Sequence, residues 1–282
     1  MMRRYKKPLV LAAEFVLLTA ISLFFILPIL WIVASALRPS GPLYTYANPL
    51  TLQTFFPTTV TFDNFVHIFK NLHFGRALLN SLLVAVATIA ISVLICSMAG
   101  FGLAKFAFRG KNLFFFIVLI TFMVPFESIV IPLFVLVKRL NIDNTYFALI
   151  LPAAGNGLAI FLFRQFFSEV PTEILEAARI DGASWIRIFR KIILPLSIPA
   201  IVTVIVMVFM FQWNSLFWPL IATHSSRFEV VQVAITAHRS TEDTSWANLF
   251  SSAIAGSLPP VILFFFLQKY FVRGISGTGL KG

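Results

Sequence analysis

Eleven acidic residues are spread over 282 positions, yet Glu173, Glu176 and Asp181 crowd into one short stretch, "EILEAARID". Carboxylates set among alanines, with no histidine or cysteine nearby, lack partners for nucleophilic, acid–base or metal chemistry. What Glu176 and Asp181 can offer is ion pairs to another protein. A different kind of acid is Glu127, in "MVPFESIVIP" at residues 123–132. An ionised carboxylate at the centre of a bilayer costs roughly 2.5–3.5 kcal/mol. Such a group either pairs with another side chain or lines a polar route, and both would satisfy it.

Other reactive types are sparse. Cys96 is the single cysteine and lies in an apolar run, so no disulfide, CxxC pair or metal cluster can be built from it. His67, His73, His224 and His238 all fall in segments read as external loops. Neither HExxH nor G-x-S-x-G occurs. Gly274-x4-Gly279 is followed by Leu280 where a phosphate loop needs Lys and then Ser or Thr. The sequence therefore predicts no catalytic residue, no metal site and no cofactor within this chain.

The elements that must position these residues are membrane spans. Hydrophobic residues make up 59% of the chain and charged residues 12%, and mean hydropathy is +0.91. A soluble domain carries about twice that charge. Thirty-three Phe would drive aggregation in water but cost nothing in lipid. The apolar runs are continuous over about 20 residues, which predicts helices rather than barrel strands. Six lie near 9–36, 77–104, 113–137, 145–163, 198–222 and 248–268. The first follows "MMRRYKKP"; its 23 uncharged residues, Phe15 to Leu37, predict a retained span rather than a cleaved signal.

Lys and Arg set the orientation. With both termini inside, the inner side holds fifteen of them: Arg3, Arg4, Lys6, Lys7, Lys105, Arg109, Lys111, Arg164, Arg179, Arg187, Arg190, Lys191, Lys269, Arg273 and Lys281. The outer side holds seven: Arg38, Lys70, Arg76, Lys138, Arg139, Arg227 and Arg239. The net charge of +11 thus reports topology rather than nucleic-acid binding. Outside, 37–76 is expected to form a small ordered cap. In 223–247, Phe228 to Ile235 reads as a short strand or an interfacial segment.

The acidic stretch then falls in the cytoplasm, in a hairpin over 168–195. Pro171 suits a first helical turn, and Glu173 and Glu176 suit its positive end. Ile174, Leu175, Ala177 and Ala178 make a flat apolar face. Gly182 ends the helix and Ser184 caps a second, Ser184 to Leu194, in which Trp185, Ile188, Phe189 and Ile192 share one side. A basic amphipathic helix lies on a bilayer by default, which suits the second helix. It suits the first poorly, because Glu173, Glu176 and Asp181 meet an anionic leaflet badly.

"EAARIDGA" at Glu176–Ala183, followed by "ILPLSIP" at Ile193–Pro199, resembles the EAA signature of the permease subunits of binding-protein-dependent ABC importers. The generic form is EAA, three residues, G, about nine residues, then I-x-L-P. This chain has ten residues before Ile193 and lacks only the x between Ile193 and Leu194. "NSLLVA" (Asn80–Ala85), "NTYFALILP" (Asn144–Pro152), "FLFRQFF" (Phe161–Phe167), "WNSLFWPL" (Trp213–Leu220) and the "FVRGISGTGLKG" terminus are similar to carbohydrate-uptake permeases of the maltose-type second-permease group. The similarity spans roughly 60–282.

The resemblance implies an all-α integral membrane protein with the type I importer permease fold. Residues 1–76 hold the first span and external loop, 77–270 the permease core, and 271–282 a cytoplasmic tail. It implies a multi-pass protein of the bacterial inner membrane that moves a sugar, or alternatively glycerol 3-phosphate, inward. Glu173, Glu176, Ala177, Ala178, Asp181, Gly182 and Ala183 would seat in a cytoplasmic ATPase subunit that binds ATP and Mg. The expected partners are a second permease, two ATPase subunits, an extracellular solute-binding protein and membrane lipid, with no nucleic acid. Asn80, Glu127, Asn156, Gln212, Trp213, Asn214 and Trp218 are the expected lining of the solute route, the tryptophans by stacking on sugar faces. A membrane enzyme and a secondary transporter are the rival readings. The missing catalytic motifs weigh against the first, and the lack of an inverted repeat or of acids in several spans against the second.

Overall fold

Backbone in lipid has no water to bond, so apolar runs close their hydrogen bonds within helices. In the computed structural model, residues 8–39, 49–237 and 246–278 are described, and among them helices and turns are the only regular structure. Arg3, Arg4, Lys6, Lys7, His238, Arg239 and Lys281 lie outside the described residues. In chain order the helices are α1 Pro8–Ala36, α2 Leu52–Phe55, α3 Asp63–Lys70, α4 Phe74–Lys105, α5 Lys111–Met123, α6 Phe126–Arg139, α7 Tyr146–Ala154, α8 Gly157–Glu169 and α9 Thr172–Ile180. Then come α10 Trp185–Ile188, a π-helical segment Phe189–Ile193, α11 Leu194–Leu196, α12 Ile198–Trp213, α13 Phe217–Ala222, α14 Val231–Ala237 and α15 Trp246–Thr278.

Three of the described helices can cross a membrane alone: Val10–Ala36, Phe74–Lys105 and Trp246–Gln268. Three bent pairs raise the number to six if each pair is one span. α5 and α6 meet at 99°, α7 and α8 at 41°, and Trp185–Leu196 meets Ile198–Trp213 at 79°. Proline alone does not place these breaks. Pro125 ends α5, whereas Pro132 lies inside α6 and Pro152 inside α7. The α7–α8 break falls instead at Gly155 and Asn156.

The chain divides into two compact units. The first joins the segment ending at Phe74 to Ile235–Ser257. Of the expected cap over 37–76, residues 37–39 and 49–76 are described and are ordered. The Arg38 guanidinium is buried and donates to the carbonyls of Gln53 and Thr54 in α2, while the Asn64 amide of α3 donates to the carbonyls of Ala36 (2.8 Å) and Arg38 (2.6 Å). Trp31 meets Phe250 edge to face at 5.4 Å.

The second unit, Gly75–Ala234 with Leu258 onward, carries the functional elements. One core cluster joins Cys96 and Phe101 of α4, Phe163 and Phe167 of α8, Leu175 of α9, and Ile188, Phe189, Ile193 and Val204. Another joins Val84, Val130, Val137, Leu149, Trp218 and Val230. Of the two readings of Phe228–Ile235, the strand is not formed. Its second half is helix α14, started by the Ser81 hydroxyl, which accepts from the Val231 N–H at 2.7 Å, and buried through Val231 and Ala234.

Helices of α4–α8 type pack without a hydrophobic driving force in lipid, so close approach decides the fit. Gly157 of α8 is such a place: a Cβ there would stand 2.5 Å from Thr121 Oγ1 and 3.0 Å from the Val118 carbonyl of α5. Gly157→Ala is therefore expected to cost about 1–3 kcal/mol by overpacking, read as a lowered Tm of the purified protein. Gly102→Ala faces open space and is expected to leave Tm unchanged or slightly raised.

Candidate functional site: an amphipathic hairpin and an uncharged cavity

The hairpin begins with Pro171 at the N-cap of α9, one residue earlier than its expected place in the first turn. Its other end closes as a Schellman motif: Ala183 N–H bonds the Ala178 carbonyl at 2.9 Å and Gly182 N–H bonds the Arg179 carbonyl at 3.1 Å. Gly182 has φ of 77° with open space around it, so the backbone angle rather than crowding requires glycine. Arg179 donates back to the Ala183 carbonyl at 2.8 Å and lies 5.1 Å from the Trp185 ring. Ser184 caps α10, accepting from Arg187 N–H at 3.3 Å.

The apolar face of α9 is not the single surface expected. Leu175 is buried and Ala178 half-buried against the core around Phe101 and Phe167, whereas Ile174 and Ala177 point away. Beside them Ile180 is 87% exposed and, across the turn, Ile186 is 70% exposed. Glu173, Glu176 and Asp181 are exposed on the same hairpin, Asp181 next to Ile180 in the chain, Glu176 one turn before it, and Glu173 close enough to Lys105 to feel its charge. The helix after Ser184 also differs, turning π-helical over Phe189–Ile193. Pro195 has no N–H for the Lys191 carbonyl and would clash with it, and a wider turn relieves that crowding. Phe189 and Trp185 lock this arm onto α4, with ring centres 5.3 Å from Phe101 and 4.8 Å from Phe106.

A cavity of about 400 Å³ opens where α5, α7, α8, α12 and α13 converge. The α7–α8 break supplies Ala153, Gly155, Asn156 and Gly157; Thr121, Phe126, Gln212 and Trp218 contribute from the other helices. Among the described residues its lining includes no charged side chain. Pro152 explains one wall. Lacking an N–H, it leaves the Ala148 carbonyl without its helical partner, and Trp218 Nε1–H takes that carbonyl at 2.8 Å. The broken turn is held from α4, where the Ser92 hydroxyl donates to the Ala154 carbonyl at 2.9 Å and Cys96 Sγ lies 3.6 Å from the carbonyls of Ala154 and Asn156. Asn156 caps α8, its Oδ1 accepting from Ala159 N–H at 2.9 Å.

Residues 93–277 match the family of binding-protein-dependent transport system inner membrane components. The chain belongs to that family. It is 36% identical to the arabinooligosaccharides transport system permease protein AraQ of Halalkalibacterium halodurans, over the full length of both chains. It is 33% identical to the sn-glycerol-3-phosphate transport system permease protein UgpE of Yersinia pestis, covering 82% of this chain and 84% of that one. Among solved structures, a chain of a bacterial ABC transporter involved in the import of the acidic polysaccharide alginate superposes with a TM-score of 0.83 at 22% identity, covering 96% of this chain and 100% of that one. This multi-pass membrane permease therefore has the type I importer fold, and the relatives it matches are transport permease subunits.

Of the seven residues expected on the route, the permease brings three to the cavity: Asn156, Gln212 and Trp218. Trp213 is instead buried and stacked on Phe209 at 5.2 Å. Asn214 is exposed at the end of α12, bonding the Met210 carbonyl. Glu127 is not a buried carboxylate of this chain. The bend at Pro125 turns α6 away, and Glu127 lies exposed in its first turn, where free N–H groups favour negative charge. Asn80 is buried as a clamp: it donates to the carbonyls of Arg227 (2.9 Å) and Glu229 (2.8 Å) and accepts from the Tyr146 hydroxyl at 2.7 Å. Glu229, on the clamped segment, has its carboxyl pushed above the usual range by burial, against the opposing pull of Arg76.

Sequence reasoning passed over Thr88 and Ser92. The signal was present, since Thr88, Ser92 and Cys96 recur every four residues and are fully buried. It also passed over Asn144, whose Oδ1 accepts from the N–H groups of His224 and Ser225 at 3.0 and 2.9 Å. Asn80→Leu is expected to strand two carbonyls and a phenol, costing several kcal/mol. Hydrogen exchange over residues 225–231 should then speed up at least ten-fold; unchanged protection there would contradict the clamp.

Proposed function

We propose that this chain is one of two permease subunits of an importer in a bacterial inner membrane, and that it moves a neutral sugar inward with energy from two separate ATPase subunits. The hairpin is the grip. The observation that carries this is its two-sidedness: Leu175, Ile188 and Phe189 are buried in the core, while Ile180 and Ile186 stand exposed on a hairpin that also exposes Glu173, Glu176 and Asp181. Exposed isoleucines and carboxylates on one hairpin suit a protein cleft, with the isoleucines desolvated and Glu173, Glu176 and Asp181 pairing with basic groups of the partner. Both termini and the hairpin lie in the cytoplasm on this reading, as the Lys and Arg distribution supports. ATP and Mg bind the ATPases alone. Closure of the ATPase pair shifts the spans between inward- and outward-open states, provided the hairpin is held differently in each. A solute-binding protein delivers sugar from the other side.

A neutral sugar is favoured over glycerol 3-phosphate by the cavity. A phosphate dianion in a mostly apolar wall needs a cation, and the lining has none among the described residues. Relatives that transport arabinooligosaccharides support the same choice.

Ile180→Asp tests the grip without disturbing the core, since the side chain lies almost wholly outside it. Co-purifying ATPase is expected to fall at least ten-fold, with ATP-driven uptake falling in parallel and the folded amount of permease unchanged. Full ATPase association in this variant and in Glu176→Lys would show that the hairpin is a lipid-surface element instead.

A further inference from the structure

The amide of Gln212 is held on its donor side only. Nε2 donates to Thr88 Oγ1 at 2.9 Å and to the Leu149 carbonyl at 3.2 Å. A carbonyl cannot donate, so the Leu149 contact fixes which end of the amide carries nitrogen. Both N–H groups are thereby spent, and Oε1 has no partner among the described residues, on a side chain that lines the cavity. The neighbouring wall is constrained in the same way. The one donor of Trp218 is committed to the Ala148 carbonyl, which leaves its ring to the cavity. Asn156 Oδ1 is committed to Ala159.

We propose that Gln212 is the specificity-determining residue of this subunit: its Oε1 accepts a hydroxyl hydrogen from the passing solute, and Thr88 with the Leu149 carbonyl are what position it. The inference rests on the sugar-importer reading and narrows it. A preset acceptor beside an aromatic wall selects a neutral solute bearing hydroxyl donors. It disfavours a carboxylate or phosphate oxygen, which would face Oε1 as a second acceptor. Thr88 touches no solute on this account and acts through Gln212. Being fully buried one helix away, it turns a wall residue into an oriented one.

The test uses the complete importer with its binding protein in proteoliposomes, with labelled arabinotriose, lactose and glycerol 3-phosphate as probes. Wild type is expected to take up at least one of the two sugars. Gln212→Met and Thr88→Val should each raise the half-saturating concentration for that sugar about three- to ten-fold, the scale of one hydrogen bond, with maximal rate within two-fold. The Thr88→Val/Gln212→Met double variant should be no worse than Gln212→Met, because both remove one interaction. Thr88→Ser, which keeps the hydroxyl, should restore the wild-type value even if Thr88→Val folds poorly. Sugar uptake with additive effects, or with a fall in maximal rate alone, would overturn the role of Gln212 while leaving the sugar reading intact. Uptake of glycerol 3-phosphate without either sugar, or of none of the three, would overturn the sugar reading itself and the inference with it.

Discussion

In a bilayer every backbone carbonyl that loses its helical partner must find another inside the protein, and the functional half of this permease is organised around that requirement. Its spans are broken, and each break frees carbonyls. Trp218 answers the one that Pro152 leaves at Ala148. Ser92, with Cys96 beside it, answers the one at Ala154. Gln212 adds a bond to Leu149. The side chains recruited for this duty converge on one place, so repairing the backbone also builds the cavity wall. Side chains whose donors are spent on carbonyls present rings and acceptor oxygens to the interior, which gives the cavity its uncharged character.

The same packing joins cavity and hairpin. α8 runs from the cavity at Gly157 to Glu169, just before Pro171 caps α9, and Phe163 and Phe167 on it share a core with Leu175, Ile188 and Phe189. That cluster is aromatic and dense, with Phe101 near the rings of Phe106, Phe167, Trp185 and Phe189. A pull on the hairpin therefore reaches the floor of the cavity through one packed block rather than through a loop. Close-packed interiors transmit displacement because they resist compression.

Local features of the sequence were legible. Run length located apolar segments that give three single-helix spans and three bent pairs, and the Gly182 stop and the Ser184 cap of the hairpin followed from short-range rules. What local rules do not reach is decided by distant partners. Pro152 stays inside α7, where a donor seventy positions away takes the Ala148 carbonyl that it frees. Phe228–Ile235 looks β-like in isolation, yet Ser81, 150 positions earlier, starts a helix there. Trp213 and Trp218 are equivalent on paper; one faces the core and the other the cavity because the chain leaves helix between them, at Asn214. Glu127 was read as buried because its neighbours are apolar, and only the 99° turn at Pro125 exposes it on this chain.

Cys96 is fully buried and is the single cysteine, so an Ile180→Cys variant carries one reactive thiol at the tip of the hairpin. The most direct measurement is its labelling by a membrane-impermeant maleimide in right-side-out and inverted vesicles, with and without the ATPase subunits. The account predicts labelling in inverted vesicles only, and its suppression once the ATPases are bound. Labelling in right-side-out vesicles, or labelling that the ATPases leave unchanged, would contradict it.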